Sequence, residues 1–261
     1  MSTATVEVVG ATKTFTTKNA KEKDVLALHN ADLNIRAGEF FSLVGPSGCG
    51  KSTLLNVLSG LLDLTEGQAK IGNKEVCGPS AATSIVFQKA TLLNWLTIRD
   101  NVLLPDKIKQ TLTKAKKARA DELLEMAGLA EFGEKYPRQL SGGMQQRASI
   151  VRALVQDPQL LLMDEPFSAL DEFTRETMNE ELLRLWTETP KTVLFITHNI
   201  AEAVFLSDRI GVMQPRPGRL TKVIDIDLPR PRTYSMRGEP RFHETVAEIR
   251  QLIGHTEDTR K

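Results

Sequence analysis

The chain has 261 residues, 41% of them hydrophobic, and its 34 Lys and Arg nearly cancel 33 Asp and Glu to leave a formal net charge of +1. That length buries a sizeable core, the apolar content excludes a disordered chain, and the charge balance excludes a histone-like or nucleic-acid-coating protein. No apolar run approaches the roughly 18–20 residues that span a bilayer, Met1 to Glu7 lacks the features of a secretion signal, and Cys49 and Cys77 make no disulfide framework.

In chain order, Glu39 to Val44 is a short apolar run that breaks into Gly45-Pro46-Ser47-Gly48, and Thr53 to Gly60 follows as an apolar helix. Ser84 to Phe87, Leu160 to Met163 and Thr192 to Ile196 are further short apolar runs, each ending in polar residues. Such strands alternating with helix-like segments imply an α/β fold around a buried, mostly parallel sheet. In such sheets ligands sit beyond the carboxyl ends of the strands. Residues 89–157 read as a helical insertion. Within it Thr113 caps a helix through Ala127 with Gly128 at the left-handed position, and a second helix from Gly142 to Gln156 stops before Pro158. Lys107, Lys109, Lys114, Lys116, Lys117 and Arg119, followed by Asp121, Glu122 and Glu125, read as a solvated helix face. After Pro229, an amphipathic stretch runs from His243 to Ile253, and Thr256 to Lys261 is expected to fray.

Three motifs carry chemistry. Gly45-Pro46-Ser47-Gly48-Cys49-Gly50-Lys51-Ser52 fits the phosphate-binding P-loop, between a strand and a helix as the motif requires. Its backbone N–H groups wrap a phosphate, Lys51 reaches the β- and γ-phosphates, and the Ser52 hydroxyl suits Mg²⁺. Leu160 to Pro166 is an apolar strand ending in Asp164, which can hold Mg²⁺ through water, and Glu165, placed to take a proton from an attacking water. Leu140-Ser141-Gly142-Gly143 opens a helix with a serine cap, and its glycines expose N–H groups to an anion. An ordinary helix cap fits that last spacing equally well. Cys49 contributes its backbone N–H, and a bulky alkyl group on its thiol is expected to obstruct the loop. Cys77, His29, His243 and His255 have no partner at metal-ligand spacing and read as structural or surface residues.

Together these motifs, in this order, resemble an ABC-transporter ATPase, over Val6 to about Arg219. The resemblance implies a P-loop NTPase core with a mostly parallel sheet, an N-terminal antiparallel β region and an inserted helical subdomain. It implies one cassette over residues 1–230, with a RecA-like core at 1–88 and 158–230, a helical subdomain at 89–157, and a short tail at 231–261. It implies ATP and Mg²⁺ as cofactors, bound by Gly45 to Thr53, with Ser52, Gln88 and Asp164 toward the metal. By the same resemblance Phe15 stands against adenine, Gln88 is the Q-loop glutamine, His198 the switch histidine and Asp171 the aspartate of the D-loop. Ser141, Gly142 and Gly143 meet the nucleotide of a second ATPase subunit, a copy or a paralogue. Lys51, Gln88, Glu165 and His198 are then the catalytic set. Phe15 for Tyr, Met144 for Gln and Asn199 for Asp depart from the common pattern without removing a catalytic group.

Leu92-Leu93-Asn94-Trp95-Leu96-Thr97, Leu170 to Arg175 and Pro215 to Arg219 resemble the nitrate, sulfonate and taurine importer group, with Asn94 where relatives carry Pro. That implies membrane permease subunits as partners, an extracytoplasmic binding protein indirectly, no nucleic acid, and a peripheral place on the cytoplasmic face of the inner membrane. The cargo expected is a small anion or sulfonate: nitrate or nitrite, taurine, alkanesulfonate or bicarbonate. Importers of other small nutrients, soluble non-transport ABC ATPases and a nucleotide-gated module without turnover are the competing classes. Trp95 is either a core aromatic of the helical subdomain or part of the groove that receives a permease helix.

Overall fold

The computed structural model describes residues 3–16 and 23–254. In chain order come β1 (Val6–Phe15), β2 (Val25–Ile35), β3 (Phe40–Val44), α1 (Lys51–Leu58), β4 (Glu66–Ile71), β5 (Lys74–Glu75) and β6 (Thr83–Val86). The insertion carries α2 (Ile98–Val102), α3 (Leu104–Ile108), α4 (Lys114–Met126) and α5 (Gly142–Leu154). There follow β7 (Leu160–Asp164), α6 (Glu172–Glu188), β8 (Thr192–Ile196), α7 (Ile200–Leu206), β9 (Arg209–Gln214), β10 (Arg219–Asp225) and α8 (Pro240–Gly254). His255 and the expected frayed end lie outside the described residues.

Two sheets result, one ordered β2-β1-β4-β5 and the other β10-β9-β3-β8-β7-β6. The first is antiparallel throughout; in the second, β9, β3, β8, β7 and β6 run parallel and β10 is antiparallel at one edge. The antiparallel sheet is not confined to the N-terminus, because β4 and β5 join it from beyond α1. Their Ala69 and Ile71 share a core with Val6, Val8, Leu33 and α1. The parallel strands look uniformly apolar in sequence, yet their side chains alternate between two cores. Phe41, Leu43, Leu160, Leu162, Leu194 and Ile196 face the antiparallel sheet and α1. Phe40, Val44, Leu161, Met163, Val193 and Phe195 face α5, α6, α7 and α8. Burial on both faces is why these runs lack polar alternation.

The helix signals hold with small shifts. Thr113 Oγ1 accepts from the Lys116 N–H at 3.2 Å, and Gly128 takes φ 65° past the end of α4. Helix α5 stops at Leu154, two residues short of Gln156, and Asp157 turns away at φ 50°. Helix α1 begins at Lys51 rather than Thr53, so the two polar loop residues are themselves helical. Helix α8 opens at Pro240, before His243, since proline fits a first helical position; Phe242 and Ile249 anchor it. The basic cluster is not simply solvated. The Asp106 side chain has no exposure and pairs with Lys116, while Thr111 Oγ1 and Gln156 Nε2 donate to it at 2.9 and 3.0 Å. Burial pulls its carboxyl up, but those donors outweigh burial and hold it below the usual range.

Candidate active site

The loop from β3 into α1 is shaped by glycines at close approaches. Gly50 has φ 94°, and a Cβ there would lie 2.7 Å from Leu28 Cδ2 and 2.8 Å from the Ala27 carbonyl oxygen. A Cβ on Gly45 would lie 2.5 Å from the Met213 carbonyl oxygen. Lys51 is buried at the centre, its Nζ donating to the carbonyls of Gly45 at 2.8 Å and Pro46 at 3.1 Å. Cys49 is fully buried beneath, its Sγ 3.7 Å from Lys51 Nζ. Burial pushes its thiol up, further than the Lys51 charge pulls it down. Ser47 to Thr53, Glu165, Arg216, Gly218 and Val25 to Ala27 line a cleft of about 400 Å³ around this loop. Phe15, at the end of β1, is 41% exposed, with the Lys13 ammonium 5.4 Å from its ring centroid, and it pairs in register with Val25 of the cleft wall.

Acidic groups arrive from β7. Ser52 Oγ donates to Asp164 Oδ1 at 3.2 Å, tying the loop to the sheet edge. Asp164's carboxyl is pushed up chiefly by burial, and the Glu165 charge adds to the shift. Glu165 follows at φ 46°, a left-handed conformation that costs a non-glycine residue about 1–3 kcal/mol. The surroundings hold it there: its N–H donates to the Ile196 carbonyl at 2.9 Å, and its own carbonyl accepts from the Ser168 hydroxyl at 2.9 Å. So placed, Glu165 Oε2 lies 3.0 Å from Nδ1 of His198, at the end of β8.

The remaining sequence-selected residues gather elsewhere. Gln88 is exposed and shares a second cleft, about 450 Å³, with Lys89 to Leu92, Gly142, Gln145, Gln146, Pro166, Ala169 and Leu170. Ser141 Oγ accepts from the Met144 N–H at 3.3 Å as the cap of α5, and Gly143 is buried against Thr174. Asp171 caps α6, accepting from the Thr174 N–H at 3.0 Å and hydroxyl at 2.6 Å, bonds that lower its carboxyl. The structure thus joins Lys51, Ser52, Asp164, Glu165 and His198 in one neighbourhood, and Gln88 with Gly142 in another.

Three residues that sequence reasoning missed hold this second region. Gln146 Nε2 donates to the Phe87 carbonyl at 3.1 Å, and Arg152 donates to the carbonyls of Ala90 at 3.0 Å and Thr91 at 2.9 Å, so α5 grips the chain on both sides of Gln88. Asn101, fully buried, accepts from the Leu93 N–H at 2.7 Å and donates to the carbonyls of Leu93, Leu96 and Thr97. Nothing in the local sequence marks Gln146 and Arg152, because their partners are backbone atoms 59 to 62 residues away, and Asn101 reaches loop carbonyls and an N–H whose positions no local pattern specifies. Asn101 folds the 93–97 segment so that Trp95 points outward, 72% exposed, which excludes its reading as a core aromatic.

A larger cavity, about 650 Å³, lies between α6 and Pro231, lined by Trp186, Arg230 and Arg232 among others. Its arginines are already engaged, Arg230 with Asp208, Arg232 with backbone carbonyls and Arg184 with Glu188.

A strand–loop–helix phosphate cradle beside an acidic strand end, on a parallel sheet flanked by an antiparallel one, defines a P-loop ATPase of the cassette class. The family model described as ABC transporter matches residues 28–168, and the chain belongs to that family. As a member it is an ATP-binding subunit that hydrolyses ATP to drive transport. An uncharacterized ABC transporter ATP-binding protein of Methanocaldococcus jannaschii is 47% identical over 208 residues, 80% of this chain and 78% of that one. A taurine import ATP-binding protein of Roseobacter denitrificans is 46% identical over 243 residues, covering 90% of this chain and 89% of that protein. Among solved structures, the ATP-binding cassette MJ0796, a dimer in a post-hydrolysis state bound to ADP and Pi, superposes with TM-score 0.72 at 36% identity, covering 85% of this chain and 99% of that one.

Proposed function

We propose that this chain is the ATPase subunit of an importer for a small anion or sulfonate, with taurine the leading cargo. The 42–46% identity to taurine import ATP-binding proteins supports that choice over nitrate or bicarbonate. Residues 1–88 and 158–230 act as the nucleotide-binding core, 89–157 as the helical subdomain and 231–261 as a tail. The protein works at the cytoplasmic face of the membrane against permease subunits, which an extracytoplasmic binding protein supplies. Among the described residues no helix is long and apolar enough to cross a membrane.

Each residue has a role in this reading. Phe15 offers a ring face to adenine; Gly45, Ser47, Gly48, Cys49, Gly50 and Thr53 present backbone N–H groups to the phosphates, while Pro46, which has no N–H, shapes the loop and accepts from Lys51 through its carbonyl; Lys51 pairs with the β- and γ-phosphates. The donor set fits Mg²⁺: Ser52 and Asp164 offer hard oxygens within 3.2 Å of each other, and a divalent charge offsets the burial that disfavours ionised Asp164. Gln88 joins that set when its loop approaches. Bound there, Mg²⁺ neutralises charge on the phosphate oxygens. Glu165 takes the proton of the attacking water, while His198 holds Glu165 on one side and the γ-phosphate on the other. Ser141, Gly142 and Gly143 close on the nucleotide of a second ATPase subunit, with Asp171 beside the junction, and hydrolysis reopens the pair and resets the permease.

The observation that carries the reading is the 3.0 Å approach of Glu165 to His198 beside the phosphate loop. A positioned base contributes roughly 10²–10⁴-fold, so Glu165→Gln is expected to lose turnover by that factor while retaining ATP and accumulating a closed dimer on size exclusion. Undiminished hydrolysis in that variant overturns the assignment of the base. Uptake of labelled taurine by the complex with its permease, competed with nitrate and bicarbonate, tests the cargo.

A further inference from the structure

Glu202 sits in the first turn of α7 and is 4% exposed. An acidic residue there favours the helix dipole, but that benefit needs no burial and is worth only about 0.3–1 kcal/mol. Glu202 is instead drawn inside, where burial disfavours its charged form and leaves Oε1 without a hydrogen-bond partner. A buried carboxylate on these terms points to a task beyond capping.

Its hydrogen bonds close a ring about His198. The Thr197 hydroxyl donates to Glu202 Oε2. The Asn199 N–H donates to Thr197 Oγ1 at 3.0 Å, and the Glu202 N–H donates to Asn199 Oδ1 at 3.1 Å. His198 lies between Thr197 and Asn199 in the chain, so both its neighbours are fixed by the ring while its own side chain stays exposed. Burial raises the Glu202 carboxyl, and the Thr197 hydrogen bond and the charges of Arg175 and Arg237 offset part of that rise. Arg175 also donates to the carbonyls of Phe167 at 3.3 Å and Leu170 at 2.7 Å, the loop that leads to Asp171. Arg237 belongs to the 3₁₀ turn Tyr234–Gly238, where it pairs with Glu176 at 3.2 Å and lies 4.8 Å from the Phe205 ring centroid.

We propose that Glu202 is a positioning residue for hydrolysis, which fixes His198 through the hydrogen-bond ring it forms with Thr197 and Asn199. This rests on the reading that His198 serves hydrolysis.

The test is steady-state ATP hydrolysis by the full chain, read as kcat and KM separately, in a double-mutant cycle with His198→Ala. Misplacing a catalytic group by about 1 Å costs on the order of 10²-fold, so Glu202→Ala is expected to lower kcat roughly 10- to 100-fold with KM for ATP unchanged within about twofold. Glu202→Gln keeps an acceptor for Thr197 and is expected to recover most of that loss. Thr197→Val opens the ring with little change in shape, and provides the measurement if Glu202→Ala does not fold. On the His198→Ala background all of these losses should vanish. A Glu202→Ala protein at the parental rate, or losses that multiply undiminished on that background, overturns the proposal while leaving the role of His198 intact. A His198→Ala protein at full rate overturns both.

Discussion

The phosphate-loop edge and the Gln88 region are built by opposite means. Around Lys51 and Glu165 the backbone does the positioning: glycines sit where a Cβ would strike Ala27, Leu28 or Met213, Lys51 bonds carbonyls five and six residues behind it, and Glu165 is held at positive φ by two backbone partners. Around Gln88 the backbone is irregular and side chains from other elements hold it, Gln146 and Arg152 from α5 and Asn101 from α2. A site built from backbone is rigid before ligand arrives. One held by a few side-chain bonds moves when they rearrange, which suits a segment that must report on a partner.

Apart from Glu165→Gln, whose effect on turnover is the largest, the contrast can be broken region by region. Asn101→Ala strands several buried backbone groups at about 1–3 kcal/mol each, softened by relaxation, so a loss of roughly 2–4 kcal/mol is expected in denaturant unfolding. ATP affinity should stay near the parental value; a large loss of affinity would merge the two regions. Gly50→Ala combines a strained φ with two clashes, and about 1–3 kcal/mol of stability should be lost together with nucleotide binding, measured by fluorescent ATP titration. If binding survives, the loop is not preformed by its backbone. Arg152→Ala removes hydrogen bonds to Ala90 and Thr91 and should cost about 1–2 kcal/mol, while protection from hydrogen exchange falls at 88–92 and not at 45–52. The smallest effect concerns Cys49. Its thiol is buried and shifted upward, so iodoacetamide at neutral pH should label exposed Cys77 first, and Cys49 only slowly. Fast labelling of Cys49 would show that the loop opens on its own. Any alkyl group on Cys49 must therefore enter through such opening, which refines the expectation that alkylation merely obstructs the loop.

The two regions also differ in how far sequence reaches them. The parallel strands, the caps Thr113 and Ser141 and the phosphate loop were legible because local chemistry decides them: apolar runs bury on both faces, a hydroxyl caps a nearby N–H, and glycine admits a left-handed turn. The cap of α7 was legible as well, since Asn199 accepts from the Glu202 N–H as an Asp there would. The exposure of Trp95 was not, because burial of an aromatic depends on what Asn101, six residues on, does to the backbone. The pairing of Asp106 with Lys116, inside what looks like a run of solvated lysines, was hidden for the same reason.

The amino-acid order alone determined four of the parallel strands, the caps of α4 and α5 and the phosphate loop, since each is written in residues within a few positions of one another, and the order of the motifs along the chain carried the family pattern. Tertiary structure alone decided which carboxylates are buried and which charges face them. Glu165 meets His198, and Arg237 meets Glu176, only because the parallel order of β7 and β8 and the return of the chain beyond Pro229 bring distant residues together. Electrostatic interactions depend on separation and burial in space, and neither is a property of sequence spacing.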